Sequence, residues 1–323
     1  MGRVKNQHYV PRVYLKRFTH DGKKLFVYDK VEGRVFESSI GNVASETGFY
    51  DLSPAAFKDG TAPPAQVVED FLSRVESLYD QVLNGLVVRI SRESAVQRHK
   101  NDLAYFMAVQ MLRTREARIT IQLILNKTVQ HLADELVRKN YPDMTHLTPR
   151  VEFTRDAVAA LHAVLLLGPD EPFAGLREVR DALAAHIWLV GYSESGRPLY
   201  TSDHPVVRER EVHGEACHHR GIDAPGIEIA FPVTPNIIII ILERREFSRY
   251  EAKDLTTVAL TEAQVVRFNK MQVAQSTRHV FCPDADFEVA ERVCRERPEV
   301  CSPDRERVEV LPLAGDDFEV TVH

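Results

Sequence analysis

The chain has 323 residues, of which 44% are hydrophobic and 27% are charged, and its formal net charge is −6. These values are typical of a soluble globular protein with a substantial core, and the acidic balance argues against a protein that coats nucleic acid with its whole surface. The sequence has no apolar run long enough to span a bilayer, and its basic N-terminus is followed by no apolar signal region. We therefore expect a cytoplasmic protein without a membrane partner, and its oligomeric state stays open.

The N-terminal segment, residues 6–18, concentrates histidine, aromatic and basic residues around one proline. Pro11 restricts its own backbone and that of the residue before it, which predicts an extended lead-in followed by a helix that begins at the proline. Helical spacing places three residues on the inward side: Tyr14, Leu15 and Phe18. Two basic residues, Arg12 and Lys16, lie one turn apart on another side. Residues 3–24 hold seven lysines and arginines against one acid, so a local basic patch is compatible with the acidic chain.

The first half of the chain reads as a hairpin followed by a helical layer. Strand-forming residues on either side of Glu32 and Gly33 predict the hairpin over residues 23–37, and a loop is expected at 55–65. Apolar residues at helical spacing predict a helix over 68–86. A second helix is expected to begin near Ser94, with a capping box, and to reach Lys139 with a break.

The second half is rich in short strands. Helices are expected near residues 154–166 and 176–184, and apolar runs separated by turn residues begin at 186. A capping box at Thr261 predicts a helix through Gln275. In the tail at 307–323, apolar and polar residues alternate, which predicts a terminal hairpin. We interpret the chain as α+β, a long-helix layer packed on a mixed or antiparallel sheet. It is expected to form one compact domain, with a motif and hairpin in 1–54, helices in 65–185 and strands in 186–323.

Residues 202–205, Ser-Asp-His-Pro, directly follow a predicted strand, a position where scaffolds commonly present functional groups. Asp203 also suits a turn, since its side chain can bind nearby backbone amides. The same two interpretations apply to His8, which is either a buried anchor or a general base. If His8 and Asp203 meet, the carboxylate could orient the imidazole or bind a metal.

The candidate site is assembled from these residues. The catalytic candidates are His8, Asp203 and His204. The candidates for substrate binding are Tyr9, Arg12, Lys16, Arg113, Gln110 and Asn269. Basic groups around a histidine suit phosphate chemistry, whereas a solvated helix face is the plainer interpretation of Arg113. A divalent metal is left open as the cofactor.

Metal-binding and catalytic motifs are otherwise scarce. His213, Cys217, His218 and His219 form a dense donor cluster, but the turn-like context favours a solvated loop. The four cysteines have no Cys-x-x-Cys spacing, and in a cytosolic setting they are expected to be incidental reduced thiols. The sequence has no Gly-rich phosphate loop, Gly-x-Ser-x-Gly elbow or His-Glu-x-x-His helix, which removes P-loop, serine-hydrolase and zincin functions. It also lacks a helix-turn-helix or RNA-binding aromatic motif.

The N-terminal His-Tyr-Val-Pro-x-x-Tyr-Leu-x-x-Phe pattern resembles the signature of an uncharacterised, mainly bacterial domain-of-unknown-function family. Arg113-Thr114, residues 201–206 and residues 231–235 are similar to later blocks of that family, so the resemblance covers most of the chain. The family supplies no activity. From the residues, the leading hypothesis is a hydrolase of phosphate-bearing substrates, with a nuclease of a bacterial defence or toxin system as the preferred class. The alternative is a non-catalytic protein that binds a ligand or partner, with a structural N-terminal plug.

Overall fold

A computed structural model describes most of the chain. The described residues are 4–54, 64–87, 92–143, 149–168, 175–210, 221–312 and 318–322. The helices among them are α1 Arg12–Leu15, α2 Val67–Val87, α3 Arg92–Leu112, α4 Arg115–Asn140, α5 Arg155–Leu167, α6 Gly175–Ala185, α7 Glu262–Gln275 and α8 Glu288–Glu296. The strands are β1 Asn6–His8, β2 Lys24–Asp29, β3 Arg34–Ser39, β4 Ser45–Thr47, β5 Ile187–Ser193, β6 Thr201–Ser202, β7 Val207–Arg210, β8 Ile227–Thr234, β9 Ile237–Leu242, β10 Thr256–Leu260, β11 His279–Cys282, β12 Val308–Pro312 and β13 Phe318–Val322. The fold is therefore α+β, as the sequence predicts.

The N-terminal segment enters the fold as expected. β1 pairs with β4, Pro11 occupies the N-cap of α1, and a 3-10 helix over Lys16–Phe18 follows at once. Three apolar side chains of this segment are fully buried: Tyr14, Leu15 and Phe18. The predicted hairpin is also present as β2 and β3, with Gly33 in the left-handed conformation that its turn requires.

The long helical stretch is divided into α3 and α4. The break falls at Arg113 and Thr114, and Thr114 Oγ1 accepts a hydrogen bond from the amide of Ala117, 3.3 Å away, at the start of α4. α3 begins at Arg92, close to the expected position, but Ser94 lies inside the helix and is therefore not its N-cap. A further kink occurs at His99, whose φ and ψ of −118° and 20° are not helical.

The strands form two larger sheets where one was expected. The first has the order β10-β5-β9-β8-β7 and is mixed, because β10 runs parallel to β5 while its other pairs are antiparallel. The second has the order β3-β2-β11-β6 and is antiparallel. The terminal hairpin of β12 and β13 is confirmed as a separate pair.

β9 lies at the centre of the mixed sheet and is buried on both faces. Ile237, Ile239 and Ile241 belong to the core cluster shared with α2 and α3. Ile238, Ile240 and Leu242 pack instead in the cluster that contains Val265, Phe268 and Met271 of α7. Because side chains alternate along a strand, a continuous apolar run is what a strand between two layers requires.

α8 follows the antiparallel sheet and carries a disulfide. Cys294 in α8 bonds to Cys301 in the 3-10 helix Pro298–Cys301, so the expectation that all the thiols are free is wrong for this pair. Cys282 is a free, buried thiol. None of the helices in the described part of the chain combines the length and apolar character that a membrane span requires.

Candidate functional site

The N-terminal segment is held by hydrogen bonds from three distant parts of the chain. The Tyr14 hydroxyl donates to the carbonyl of Pro232, 2.6 Å away, and lies 2.7 Å from Thr201 Oγ1. Gln110 Nε2 donates to the carbonyl of Tyr9 at 3.1 Å. These contacts join the segments that stand out in the sequence, so much of their polar character serves to hold the fold together.

Arg113 is committed to the same assembly. Its side chain is 1% exposed, and Nη2 donates to the carbonyl of His8 at 2.7 Å and to Glu76 Oε1 at 2.8 Å. The Tyr50 hydroxyl donates to its carbonyl at 2.5 Å. Arg113 therefore lies beside His8, as the candidate site requires, but it binds protein groups.

Asp203 occupies a buried turn. Its Oδ1 accepts from the amide of Thr277 at 2.7 Å, and its Oδ2 accepts from the amides of Arg278 and His279 at 2.8 and 2.9 Å. Within the described residues, no hydrogen bond joins the carboxylate to His8. The carboxylate is close enough to Tyr9 to reinforce, after burial, the raised pKa of that phenol. These contacts favour the turn-forming interpretation of Asp203.

Asn269 likewise fixes backbone. Its buried side chain accepts from the amide of Tyr200 at 2.8 Å and donates to the carbonyl of Pro198 at 2.9 Å. Both ends of the amide are therefore used in holding the chain that leads into β6.

His8, Arg12 and Lys16 have a different setting. His8 is half-buried, and burial, followed by the charge of Arg12, lowers its pKa. Its Nε2 is buried and has no hydrogen-bond partner among the described residues. Arg12 and Lys16 are exposed. They are accessible cations, and neither of them lines the large cleft described below.

His204 lies at the edge of a large cleft. Its Nδ1 is 2.8 Å from Thr114 Oγ1, the atom that also caps α4. Burial lowers the pKa of His204 to about 4; the carboxylate of Glu116 opposes this shift, and Arg208 reinforces it. The imidazole is therefore neutral near neutral pH, with one ring nitrogen held by Thr114.

The cleft has a volume of about 1240 Å³ and is bounded by α4, β7, α7 and the segment after α8. Its apolar lining includes Met111, Leu112, Ile121, Val206, Met271 and Ala274. Its basic lining consists of Arg208, Arg210, Arg267, Lys270, Arg297 and Arg305. Five glutamates also line it: Glu116, Glu209, Glu296, Glu299 and Glu306. The lining thus combines apolar side chains with six basic and five acidic ones.

Several of these charges are paired. Arg305 Nη2 and Arg307 Nε both lie 2.7 Å from Glu116 Oε1. Burial raises the pKa of Glu116, but the two arginines outweigh burial and hold that pKa at about 2. Arg267 pairs with Glu209 and Glu228. Lys270 is exposed and forms no ion pair within the described residues.

The backbone of β7 is tied to α7 beside the cleft. Gln275 Oε1 accepts from the amide of Arg208 at 3.0 Å, and its Nε2 donates to the carbonyl of the same residue at 2.8 Å. This double contact fixes the position of Arg208 along the cleft wall. The structure therefore gathers His204, Arg208 and Lys270 along one cleft, on elements far apart in sequence.

The sequence did not single out Arg208, Glu116 or Arg305. Arg208 follows the Ser-Asp-His-Pro stretch by only a few residues, and Glu116 lies just after Arg113-Thr114, so proximity to both motifs was an available signal. Arg305 lies in a tail with no distinctive pattern. The donor cluster at His213, Cys217, His218 and His219 and most of the predicted loop at 55–65 fall outside the described residues. Within the described residues, no group of three or more potential ligands is placed to hold a metal ion.

Comparison with known proteins gives the family of the chain. A search of curated proteins and a search of solved structures each found no match. The family model described as Protein of unknown function (DUF4238) matches residues 6–286. This match spans the N-terminal segment, Arg113-Thr114 and the strand end at 202–205, so the chain belongs to the DUF4238 family.

Proposed function

We propose that the protein binds a phosphate-bearing substrate in the His204 cleft and hydrolyses it, with a nuclease as the leading class. The observation that supports this is the neutral imidazole of His204, held by Thr114 beside Arg208 on the wall of the cleft. A neutral imidazole can accept a proton, and arginine and lysine are the side chains that bind phosphate oxygens. We place this activity in the bacterial cytoplasm, in a defence or toxin system.

In the proposed reaction, His204 takes a proton from the water that attacks phosphorus. The bond between phosphorus and the leaving ester oxygen breaks, and that oxygen takes up the proton from the imidazolium of His204 or from solvent. Arg208 and Lys270 would hold the phosphate oxygens and stabilise the charge that develops on them. The pKa of His204 is about 4, which makes it a weak base. A bound phosphate adds negative charge nearby and raises that pKa towards the range useful for proton transfer. The chemistry is compatible with a divalent metal that binds together with the substrate.

The roles first assigned to the other candidate residues change in this proposal. Asp203 supports the turn at 277–279 and would act on the site only by holding its neighbour His204 in place. Arg113 supports His8 and Glu76. Exposed Arg12 and Lys16 are the remaining candidates for an anion-binding surface outside the cleft, which makes them the natural comparison for the cleft residues.

A second candidate is ligand binding without catalysis. It is favoured by the low pKa of His204 and by the glutamates that neutralise Arg267 and Arg305 along the wall. Such a cleft could hold a phosphate-bearing molecule through Arg208 and Lys270 while leaving it intact. The two candidates share a site and differ in whether His204 transfers a proton.

The experiment measures degradation of RNA, single-stranded DNA and duplex DNA, and hydrolysis of bis(p-nitrophenyl) phosphate, with and without Mg²⁺ or Mn²⁺. His204→Asn and Lys270→Gln are compared with Arg12→Gln and Lys16→Gln. We expect His204→Asn to lower the rate about 100-fold or more, because general acid–base catalysis contributes at least that much. Lys270→Gln should mainly raise KM, and the two N-terminal variants should retain activity.

Three other outcomes decide against parts of this proposal. If the N-terminal variants lose activity and His204→Asn keeps it, the site lies at the N-terminal segment. If wild type degrades nothing but binds the same oligonucleotides through Lys270, the protein is the binding protein of the second candidate. If it neither degrades nor binds them, both candidates are rejected.

A further inference from the structure

A disulfide closes a loop that forms part of the wall of the cleft. Cys294 and Cys301 have Cα atoms 6.0 Å apart and enclose a short loop. Four of the six residues between them line the cleft: Glu296, Arg297, Glu299 and Val300. The conformation of this wall therefore depends on a covalent bond that thiol chemistry can open.

We propose that the Cys294–Cys301 disulfide is a reversible redox switch that controls the wall of the cleft. Both side chains are half-buried at the surface rather than sealed in the core, so a small thiol can approach them. Cys282, the other cysteine among the described residues, is buried, and burial raises its thiol pKa, so it is a poor competitor for either partner.

The exchange needs only a low-molecular-weight thiol as reductant. Its thiolate attacks one sulfur of the disulfide, forms a mixed disulfide and releases the other cysteine as a thiolate, which takes up a proton. A second thiol displaces the protein from the mixed disulfide. The protein disulfide and two small thiols thus give two protein thiols and one small disulfide, and the reverse reaction uses the small disulfide as oxidant.

The structure limits how far the opening spreads. Arg305, four residues after Cys301, donates to the carbonyl of Ala274 at 2.7 Å and pairs with Glu116. These contacts hold the chain beyond the loop against α7 and α4. Val293, on the other side of the loop, is buried in the cluster that includes Phe287 and Val289. Val300, at the end of the loop, is buried in the same cluster. Reduction should therefore free the residues between Cys294 and Val300 and leave both flanks in place.

The test uses the full chain, equilibrated with reduced or oxidised glutathione, and measures hydrogen exchange of its backbone amides by mass spectrometry. On reduction, amides in the loop should exchange about tenfold faster or more, as expected for a segment that opens locally, while α4 and α5 should not change. The double variant Cys294→Ser with Cys301→Ser should show the fast exchange in both buffers. Cys282→Ala serves as the matched control and should respond as the wild type does.

Two results would overturn the switch. One is a bond that survives millimolar reduced glutathione, which would make it a fixed cross-link; the other is equal loop exchange in the two redox states. Thiol alkylation with mass mapping must also find Cys294 and Cys301 protected in oxidised glutathione. These readouts need no substrate, so they stand whether or not the cleft binds phosphate.

Discussion

Asp203 and His204 are neighbours in sequence with separate surroundings. The carboxylate of Asp203 is turned to three backbone amides after α7, whereas the imidazole of His204 contacts Thr114 at the start of α4 and lines the cleft. The sequence marks both residues as candidates because each type is common in active sites and both follow a strand. Which of them has a structural role depends on residues 277–279, more than 70 positions away, and no local pattern contains that information.

The first prediction concerns Asp203→Asn. An amide at this position keeps one oxygen acceptor but turns an NH₂ group towards backbone N–H donors, which would lose their partner in a buried turn. We expect the free energy of unfolding to fall by about 3 kcal/mol, since hydrogen bonds to a charged group contribute about 1.5–3 kcal/mol each and are not additive. Urea denaturation followed by circular dichroism measures the loss.

The matched control is Asp21→Asn. Asp21 also accepts from two backbone amides, those of Lys23 and Lys24, but it is fully exposed, so water replaces the lost contacts and the change should be small. An Asp203→Asn protein with unchanged stability but no hydrolysis would contradict the structural assignment and return Asp203 to the catalytic group.

At the scale of elements, the break between α3 and α4 organises the site. Helical periodicity predicts both helices, because their apolar residues recur at the right spacing. The break at Arg113 and Thr114 contains neither glycine nor proline, so the usual signals of a helix end are absent. It is stabilised by Thr114 as a cap and by the tertiary contacts of Arg113, and the latter cannot be inferred from spacing.

The second prediction compares two caps. Thr114 caps α4 and Thr154 caps α5, and each hydroxyl accepts from the amide three residues later at 3.3 Å. Alanine at either position should lower the free energy of unfolding by about 1 kcal/mol, the usual effect of losing a helix cap. Thr114→Ala also removes the partner of His204 Nδ1, so it alone should impair binding or hydrolysis in the cleft.

Thr114→Ser restores a hydroxyl at the same place and should recover both stability and cleft function. Denaturation and the hydrolysis assay of the proposed function are run on all three variants. Equal loss of function in Thr114→Ala and Thr154→Ala would show that the effect comes from stability alone, and His204 would then need no oriented partner.

At the scale of the whole molecule, buried ionisable groups make the fold sensitive to acid. Burial, helped by Arg118, lowers the pKa of His162 to about 3, and burial lowers that of His204 to about 4. Below the ordinary histidine pKa, these two histidines bind protons in the unfolded chain but stay neutral in the folded chain, so acid favours unfolding. This stability is therefore complete above a pH of about 6.5 and is lost progressively as the pH falls towards these folded-state values.

The third prediction follows from this linkage. Each buried histidine should contribute up to about 1.4 kcal/mol per pH unit to the slope of stability in that window. His162→Gln should flatten the slope, while His20→Gln, at an exposed position, should leave it unchanged. Urea unfolding is measured from neutral to acidic pH by fluorescence of the single tryptophan, buried Trp188, and by circular dichroism.

The two signals also test the expectation of a single domain. Trp188 reports on the mixed sheet, whereas circular dichroism is dominated by the helices, and one cooperative unit requires coincident transitions. Different unfolding midpoints by fluorescence and circular dichroism would show that the chain unfolds as more than one cooperative unit. If the change of stability with pH has the same slope in wild type and His162→Gln, His162 takes up its proton as readily in the folded state as in the unfolded state.

Much of this architecture was predictable because most helices and strands carry their own periodicity. The division into two sheets was less predictable. β6, β7 and β10 are short, so whether these segments form strands depends on the strands beside them. The cleft was least predictable, as His204, Arg208 and Lys270 come together only when β7, α3 and α7 pack. Local sequence patterns predict individual helices and strands, whereas the site depends on how these elements pack against one another.

The isoleucine run of β9 has a consequence for synthesis of the chain. One face of Ile237–Leu242 is covered by helices that are made much earlier, and the other by α7, which follows it along the chain. Until α7 has left the ribosome, one face of this uncharged, proline-free strand of high β propensity is exposed. Exposed segments of this kind promote aggregation with other chains. Destabilising substitutions in α7 should therefore reduce the yield of native protein more than they reduce the stability of the folded protein. The aggregation should be detectable in nascent chains that are arrested before α7 is synthesised.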